Sequence, residues 1–206
     1  MASELLEPTD AAIRRAAAAL ASGEVVVIPT ETVYGLAARA DDAAPLGRIY
    51  ELKGRPSNKP LIVHVRNVTQ AREYARAWPD IADRLASTFW PGPLTLVLPK
   101  RHTVLDEVTA GGPTVAVRVP DHDVAQRLLA ACPFALAAPS ANLSGRAPPS
   151  SAQEAQTALA GRVSLILDGG SCRVGEPSTI VSITADGATL LRRGALAEEI
   201  AAALKR

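Results

Sequence analysis

Read for the period of its apolar positions, the chain alternates short helices with short strands. Thr9 or Asp10 can cap a helix over residues 11–21, and Ser22 with Gly23 can stop it. Residues 25–28 are apolar without a break, the pattern of a strand covered on both faces. Residues 45–52 predict a second helix running into a basic loop, and residues 61–65 a second buried strand. Helices are expected over 68–78 and 80–89, then a strand over 94–98 behind the turn formers Pro91, Gly92 and Pro93, and another over 114–119. A helix over 121–131 and a strand over 134–138 follow, the strand opening into a polar loop over 139–145. Ser151 with Glu154 has the capping-box spacing for a helix to Leu159. Strands over 164–167, 178–183 and 189–191 and a helix over 197–204 complete the reading.

This order predicts an α/β fold: a twisted, mixed sheet with parallel and antiparallel pairs and flanking helices. The late strands lie too close in sequence for crossover helices, so antiparallel or mixed pairing is expected there. No Pro/Gly/Ser-rich linker, composition shift or repeat divides the chain, and one domain over 1–206 is expected.

Composition narrows the function. Hydrophobic residues make up 48% and aromatic residues 3%, so the core must be aliphatic and few rings are left to stack on nucleobases. With 22 Lys and Arg against 21 Asp and Glu the net charge is +1, which lacks the footprint of a nonspecific nucleic-acid binder. Any local basic cluster is therefore a focused field. Cys132 and Cys172 have no CxxC spacing, which argues against a disulfide scaffold or structural zinc and for reduced thiols in the cytoplasm. The first 22 residues lack the apolar stretch of a signal peptide, and no run has the length of a membrane span.

The phosphate cradles G-x-x-x-x-G-K-[ST] and G-x-G-x-x-G are absent, as is the nucleophile elbow G-x-S-x-G. His64, His102 and His122 share no metal-ligand spacing. An enzyme acting on phosphates would have to use side-chain cations, and Lys53, Arg55 and Lys59 supply three in seven residues, in a loop stiffened by Pro56 and Pro60. Arg55 can hold phosphate bidentately and the lysines act as point charges. A solvated loop that contributes little to the core would carry the same charges, and composition does not separate the two. The hydroxyl-rich stretch 29–36, with its one carboxylate, could bind a polar metabolite or be a simple turn. His64 reads equally as a core histidine or a ligand. Arg118, inside a buried strand, requires a partner, either a structural carboxylate or a substrate's. Ser140, Asn142, Ser178 and Arg192 stand at strand ends, where turn and ligand roles look alike.

Six stretches taken in order resemble the YrdC-type family of threonylcarbamoyl-AMP synthases: PTETVYGLAARA from Pro29, KGRPSNKPLIVHV from Lys53, WPGPLTLVLP from Trp90, VAVRVPDH from Val115, APSANLSG from Ala138 and PSTIVSI from Pro177. The pairing of K-x-R at Lys53 with S-x-N at Ser140 is particular to that family. The resemblance implies a nucleotidyltransferase that condenses L-threonine, bicarbonate or CO2, and ATP into threonylcarbamoyl-AMP and releases pyrophosphate. The product would pass to tRNA threonylcarbamoyl transferase proteins, for adenosine 37 of tRNAs reading codons that begin with A. A sheet around a large, positively lined cavity is implied. So are catalytic cations at Lys53 and Arg55, and a threonine pocket of Thr32, His64, Arg118, Ala138 and Ser178. Nucleotide contacts are implied at Arg55, Lys59, Thr114, Ser140, Asn142, Pro148 and Arg192. Mg2+ is expected with ATP, without an assigned ligand, and contact with tRNA is a further expectation. The resemblance is to the short form, without an extra C-terminal domain. The rival readings are an RNA-binding module without catalysis, and the carbamoyl phosphate chemistry of hydrogenase maturation proteins, whose zinc-finger motifs are missing here.

Overall fold

A computed structural model describes residues 3–185 and 187–205. In chain order the elements begin with β1 (Glu4–Leu6), α1 (Asp10–Ala21), β2 (Val26–Ile28), β3 (Gly35–Arg39), α2 (Ala43–Lys53) and β4 (Ile62–His64). They continue with α3 (Val68–Arg72), α4 (Asp80–Phe89), β5 (Leu94–Pro99), α5 (Asp106–Thr109), β6 (Thr114–Arg118) and α6 (Asp123–Ala131). The last third holds β7 (Leu136–Ala137), α7 (Ala152–Leu159), β8 (Leu165–Leu167), β9 (Thr179–Thr184), β10 (Gly187–Arg192) and α8 (Ala197–Ala203).

Among the described residues the strands form one ten-stranded sheet in the order β1-β8-β2-β3-β7-β4-β6-β5-β9-β10. Pairs β1/β8, β2/β8, β4/β6 and β5/β9 are parallel, and the others are antiparallel. The mixed α/β sheet read from the sequence is the sheet observed.

One half of the sheet is covered on both faces, which is why its strands are continuously apolar. Val26, Ile28, Ala37 and Leu136 point to α1 and α6, while Val27, Leu36 and Ala137 join the larger core that includes α2 and α7. The caps follow local chemistry: Thr9 Oγ1 accepts from the Ala12 amide at α1, and Ser151 accepts from the Glu154 amide at α7.

Four elements depart from the sequence expectation. The stretch 29–36 is a turn only as far as Tyr34, and β3 starts at Gly35. Its Gly-Leu-Ala-Ala-Arg run lacks β-branched residues, so pairing to β2 and β7, rather than intrinsic preference, makes it a strand. The helix expected over 68–78 ends at Arg72, because the chain beyond it is drawn along β5. The Ala75–Lys100 bridge and the bonds Arg76 N–Pro99 O and Arg101 N–Tyr74 O hold it there. Short elements β1 and α5 had no periodic signal.

Half of the sheet has a different second face. In β6, Val115 and Val117 enter the core, while Thr114, Ala116 and Arg118 turn to the opposite side. The same period of two places Ile62 and His64 of β4, Val97 of β5 and Ile180 of β9 on that side. They form the floor of a cavity.

Candidate active site

The cavity has a volume of about 460 Å³. Its floor is the face just described, and its walls come from the loops after β2, α2 and β7 and the approaches to β9 and β10. Of the residues that the resemblance marks for threonine, Thr32, His64, Arg118, Ala138 and Ser178 all line it. Of those marked for the nucleotide, Arg55, Lys59, Thr114, Ser140 and Arg192 do so. Lys53, Asn142 and Pro148 are not among the lining residues. Among the described residues, four cationic side chains face this space and no aspartate or glutamate lines it.

Arg118 is the best-held of these cations. It is 3% exposed and sits in register beside His64 of the parallel strand β4. Its Nε donates to the Gly92 carbonyl at 3.1 Å and Nη1 to Thr32 Oγ1 at 2.8 Å, while Nη2 lies 2.6 Å from Glu31 Oε1. Glu31 is 1% exposed. The buried strand charge therefore has the structural carboxylate partner that the sequence required. Nε and Nη1 thus each donate a hydrogen bond, whereas Nη2 meets Glu31 as a buried ion pair without hydrogen-bond geometry.

The turn after β2 fixes the direction of that network. Thr30 Oγ1 donates to the Val33 carbonyl at 2.6 Å, so the 2.9 Å contact between Thr32 and Thr30 must use the Thr32 proton. Thr32 thus meets a ligand only as an acceptor. His64 is committed in the same sense. Its Nδ1 lies 3.2 Å from the Ile62 carbonyl and must carry the proton to bond there, which leaves Nε2 with a lone pair. Burial, reinforced by the charge of Arg118, pushes the imidazole down from 6.5 to about 3, so it is neutral near pH 7.

On the opposite wall, Arg192 follows a register shift in β10 and donates from Nε and Nη2 to the Ser178 carbonyl, at 3.1 and 2.7 Å. Nη2 also reaches Ser178 Oγ at 3.1 Å, and that hydroxyl is 2.8 Å from Thr95 Oγ1.

The basic loop divides at Gly54, which ends α2 in the left-handed conformation with φ 56°. Arg55 goes to the cavity, where its guanidinium bonds the carbonyls of Lys59 and Pro60 at 3.1 and 2.9 Å. Tyr50 braces the same loop, its hydroxyl 3.0 Å from the Lys59 carbonyl. Lys53 turns inward and corrects the picture of an exposed cation with little part in the core. It is the last residue of α2 and is 2% exposed. Its ammonium donates to the carbonyls of Ser140 and Asn142, and its own carbonyl accepts from the Ser144 amide at 2.9 Å. Lys53 thus clips the S-x-N turn to α2, and Ser140 enters the cavity wall from that turn. Burial, with the charge of Arg55, brings the Lys53 ammonium down to about 8.

Asn142 faces its own turn, its Nδ2 donating to the carbonyls of Leu143 and Arg146 at 2.9 and 2.6 Å. Pro148 is exposed, while its neighbour Pro149 accepts from the Tyr34 amide. Glu31 is the functional candidate that sequence reasoning left unassigned. It was visible as the one carboxylate in 29–36, but only the fold shows that it stands behind Arg118.

Among the described residues no group of three His, Cys, Asp or Glu side chains could hold a metal ion. With no carboxylate in the lining, the cavity does not fit a protein-held Mg2+. Cys132 is buried and Cys172 half-buried, both as free thiols. No helix among the described residues is long and apolar enough to cross a membrane.

A mixed α/β sheet whose open face carries a neutral imidazole acceptor beside paired and unpaired guanidinium groups defines an α/β protein with a cation-lined pocket on its sheet. Residues 18–194 match the Sua5/YciO/YrdC family model, described as telomere recombination, and the chain belongs to that family. It is 46% identical over 184 residues to the threonylcarbamoyl-AMP synthase of Pyrococcus abyssi, covering 89% of this chain and 54% of that protein. The threonylcarbamoyl-AMP synthase of Bacillus subtilis is 45% identical, with 94% and 56% covered. The chain thus spans about half the length of these curated relatives. The crystal structure of P. abyssi Sua5 complexed with L-threonine superposes with a TM-score of 0.95 at 42% identity, over 98% of this chain and 61% of that one.

Two outcomes test this geometry. Lys53→Ala leaves the buried Asn142 carbonyl and the part-buried Ser140 carbonyl without their donor and should cost about 1–3 kcal/mol in chemical denaturation, more than Arg55→Ala. A smaller loss than for Arg55→Ala contradicts the clip. Between pH 6.5 and about 3 the unfolded chain takes up a proton at His64 that the folded protein excludes. That stability is complete above pH 6.5 and is lost as the pH falls. His64→Gln should therefore lose less stability than wild type across this window, and identical slopes contradict a buried neutral imidazole.

Proposed function

We propose that this chain synthesises L-threonylcarbamoyl-AMP from L-threonine, bicarbonate or CO2, and ATP with release of pyrophosphate, supplying the modification of adenosine 37 in tRNA. The observation that carries the reading is one cavity that joins a carboxylate-ready Arg118 and acceptor-only Thr32 and His64 to Arg55, Lys59 and Arg192. L-threonine needs the first set: an anion site for its carboxylate and acceptors for its ammonium and hydroxyl. A triphosphate needs the second. That Pyrococcus Sua5 has been crystallised with L-threonine supports bringing the amino acid to this cavity.

In this reading the threonine amine attacks CO2, forming the N–C bond of a carbamate and losing a proton. A carbamate oxygen then attacks the α-phosphorus in line, the bond from the α-phosphorus to the bridging oxygen breaks, and pyrophosphate leaves. The protein's work is positioning and charge neutralisation. Arg55 and Lys59 stabilise charge on the departing phosphates, and Arg192 holds the nucleotide beside Ser178. Lys53 acts through the backbone, by holding Ser140 in the wall. Mg2+ would arrive on the phosphates of ATP as part of the substrate.

Mass spectrometry of the products from ATP, L-threonine and bicarbonate tests the reading. The expected result is a threonylcarbamoyl-AMP mass with pyrophosphate released in equal amount, dependent on all three reactants. Arg55→Ala should fold and lose about a hundredfold in rate. Tight tRNA binding without pyrophosphate release would overturn the reading in favour of an RNA-binding module.

A further inference from the structure

Among the described residues, Arg118 is the one cavity cation with a carboxylate against it. Arg55 and Arg192 donate to backbone carbonyls and a hydroxyl and have no carboxylate partner, which leaves their charge uncompensated. Glu31 does not line the cavity and touches no ligand space. Its place is fixed from behind, where its backbone carbonyl accepts from the Val174 amide at 2.8 Å. Burying a carboxylate at 1% exposure is costly, and packing alone would be served by a neutral side chain.

We propose that Glu31 is a specificity-determining residue, which reserves the Arg118 subsite for a zwitterionic amino acid and keeps phosphate groups out of it. The proposal rests on the threonine reading given above. Threonine and phosphate both offer oxygens that suit a guanidinium such as that of Arg118, which lines the cavity, so hydrogen-bond chemistry does not tell them apart. Charge does. At neutral pH L-threonine has no net charge, whereas inorganic phosphate carries more than one negative charge. A fixed carboxylate acts on each charge of a ligand, and threonine carries an ammonium whose attraction offsets part of the repulsion of its carboxylate, whereas phosphate carries none, so Glu31 repels phosphate more than threonine. A cavity with three other cations has particular need of this. Without Glu31, a phosphate of the nucleotide, or pyrophosphate after the reaction, would occupy the amino-acid position.

Isothermal titration of L-threonine, and of inorganic phosphate in competition with it, tests the assignment on wild type and Glu31→Gln. Glutamine keeps the length and one acceptor oxygen. The ratio of the phosphate dissociation constant to that of threonine should fall by about tenfold or more in Glu31→Gln. An unchanged ratio overturns the assignment, including the case where both ligands weaken together, which is the outcome of a merely structural role. If Glu31→Gln does not fold, Arg118→Gln with and without Glu31→Gln carries the test on a neutral pair. Phosphate should bind more tightly in the double variant than in Arg118→Gln alone, and equal binding overturns the proposal. A wild-type protein that binds no threonine overturns the threonine reading together with it, whereas threonine binding with an unaltered ratio removes the role of Glu31 alone.

Discussion

A guanidinium buried to 3% exposure cannot stand without partners, and Arg118 and its partners bring together three separate parts of the chain. The Gly92 carbonyl precedes β5, Thr32 and Glu31 follow β2, and Arg118 itself ends β6. Satisfying one charge thus gathers loops that wall the cavity. Lys53 repeats the device on the other side. Its ammonium is spent on backbone carbonyls so that Ser140 is held where a ligand can reach it. Both are buried cations used to place chain segments, and the free charge in the site comes from Arg55, Lys59 and Arg192.

The sheet supports this division because its two halves are covered differently. Around β2, β3 and β8 helices close both faces, and the strands have no side to spare. Around β4, β6, β5 and β9 one face packs into the core and the other is left for chemistry. Function then needs only alternate positions of ordinary strands, and the backbone that presents them is as rigid as the core beneath it.

Much of this was legible in the sequence, for physical reasons that differ between elements. Buried strands such as Val26–Ile28 announce themselves by unbroken aliphatic runs, and α1 and α7 by caps at the correct spacing. β3 was not legible, since Gly, Ala and Arg carry no strand preference and only its neighbours make it one. The alternation Thr-Val-Ala-Val-Arg-Val at 114–119 held the two-faced character of β6, yet placing Arg118 inside a buried strand left that open face unread. The basic cluster at 53–59 was read as one loop whose three cations, Lys53, Arg55 and Lys59, all turn to a phosphate. Gly54 with φ 56° sends Lys53 and Arg55 in different directions, and no count of cations could reveal that. Glu31 was hidden for the converse reason, because a carboxylate matters here only through a strand nearly ninety residues away.

The central claim is that one cavity holds an amino-acid carboxylate on Arg118 while Arg55 and Lys59 hold the phosphates of a nucleotide. A crystal structure with L-threonine and a non-hydrolysable ATP analogue measures this directly. The account predicts the threonine carboxylate within hydrogen-bond distance of the Arg118 guanidinium, its ammonium or hydroxyl on Thr32 and His64 Nε2, and the phosphates on Arg55 and Lys59. Threonine bound away from Arg118, or phosphates seated on Arg118 beside an intact Glu31, would contradict it.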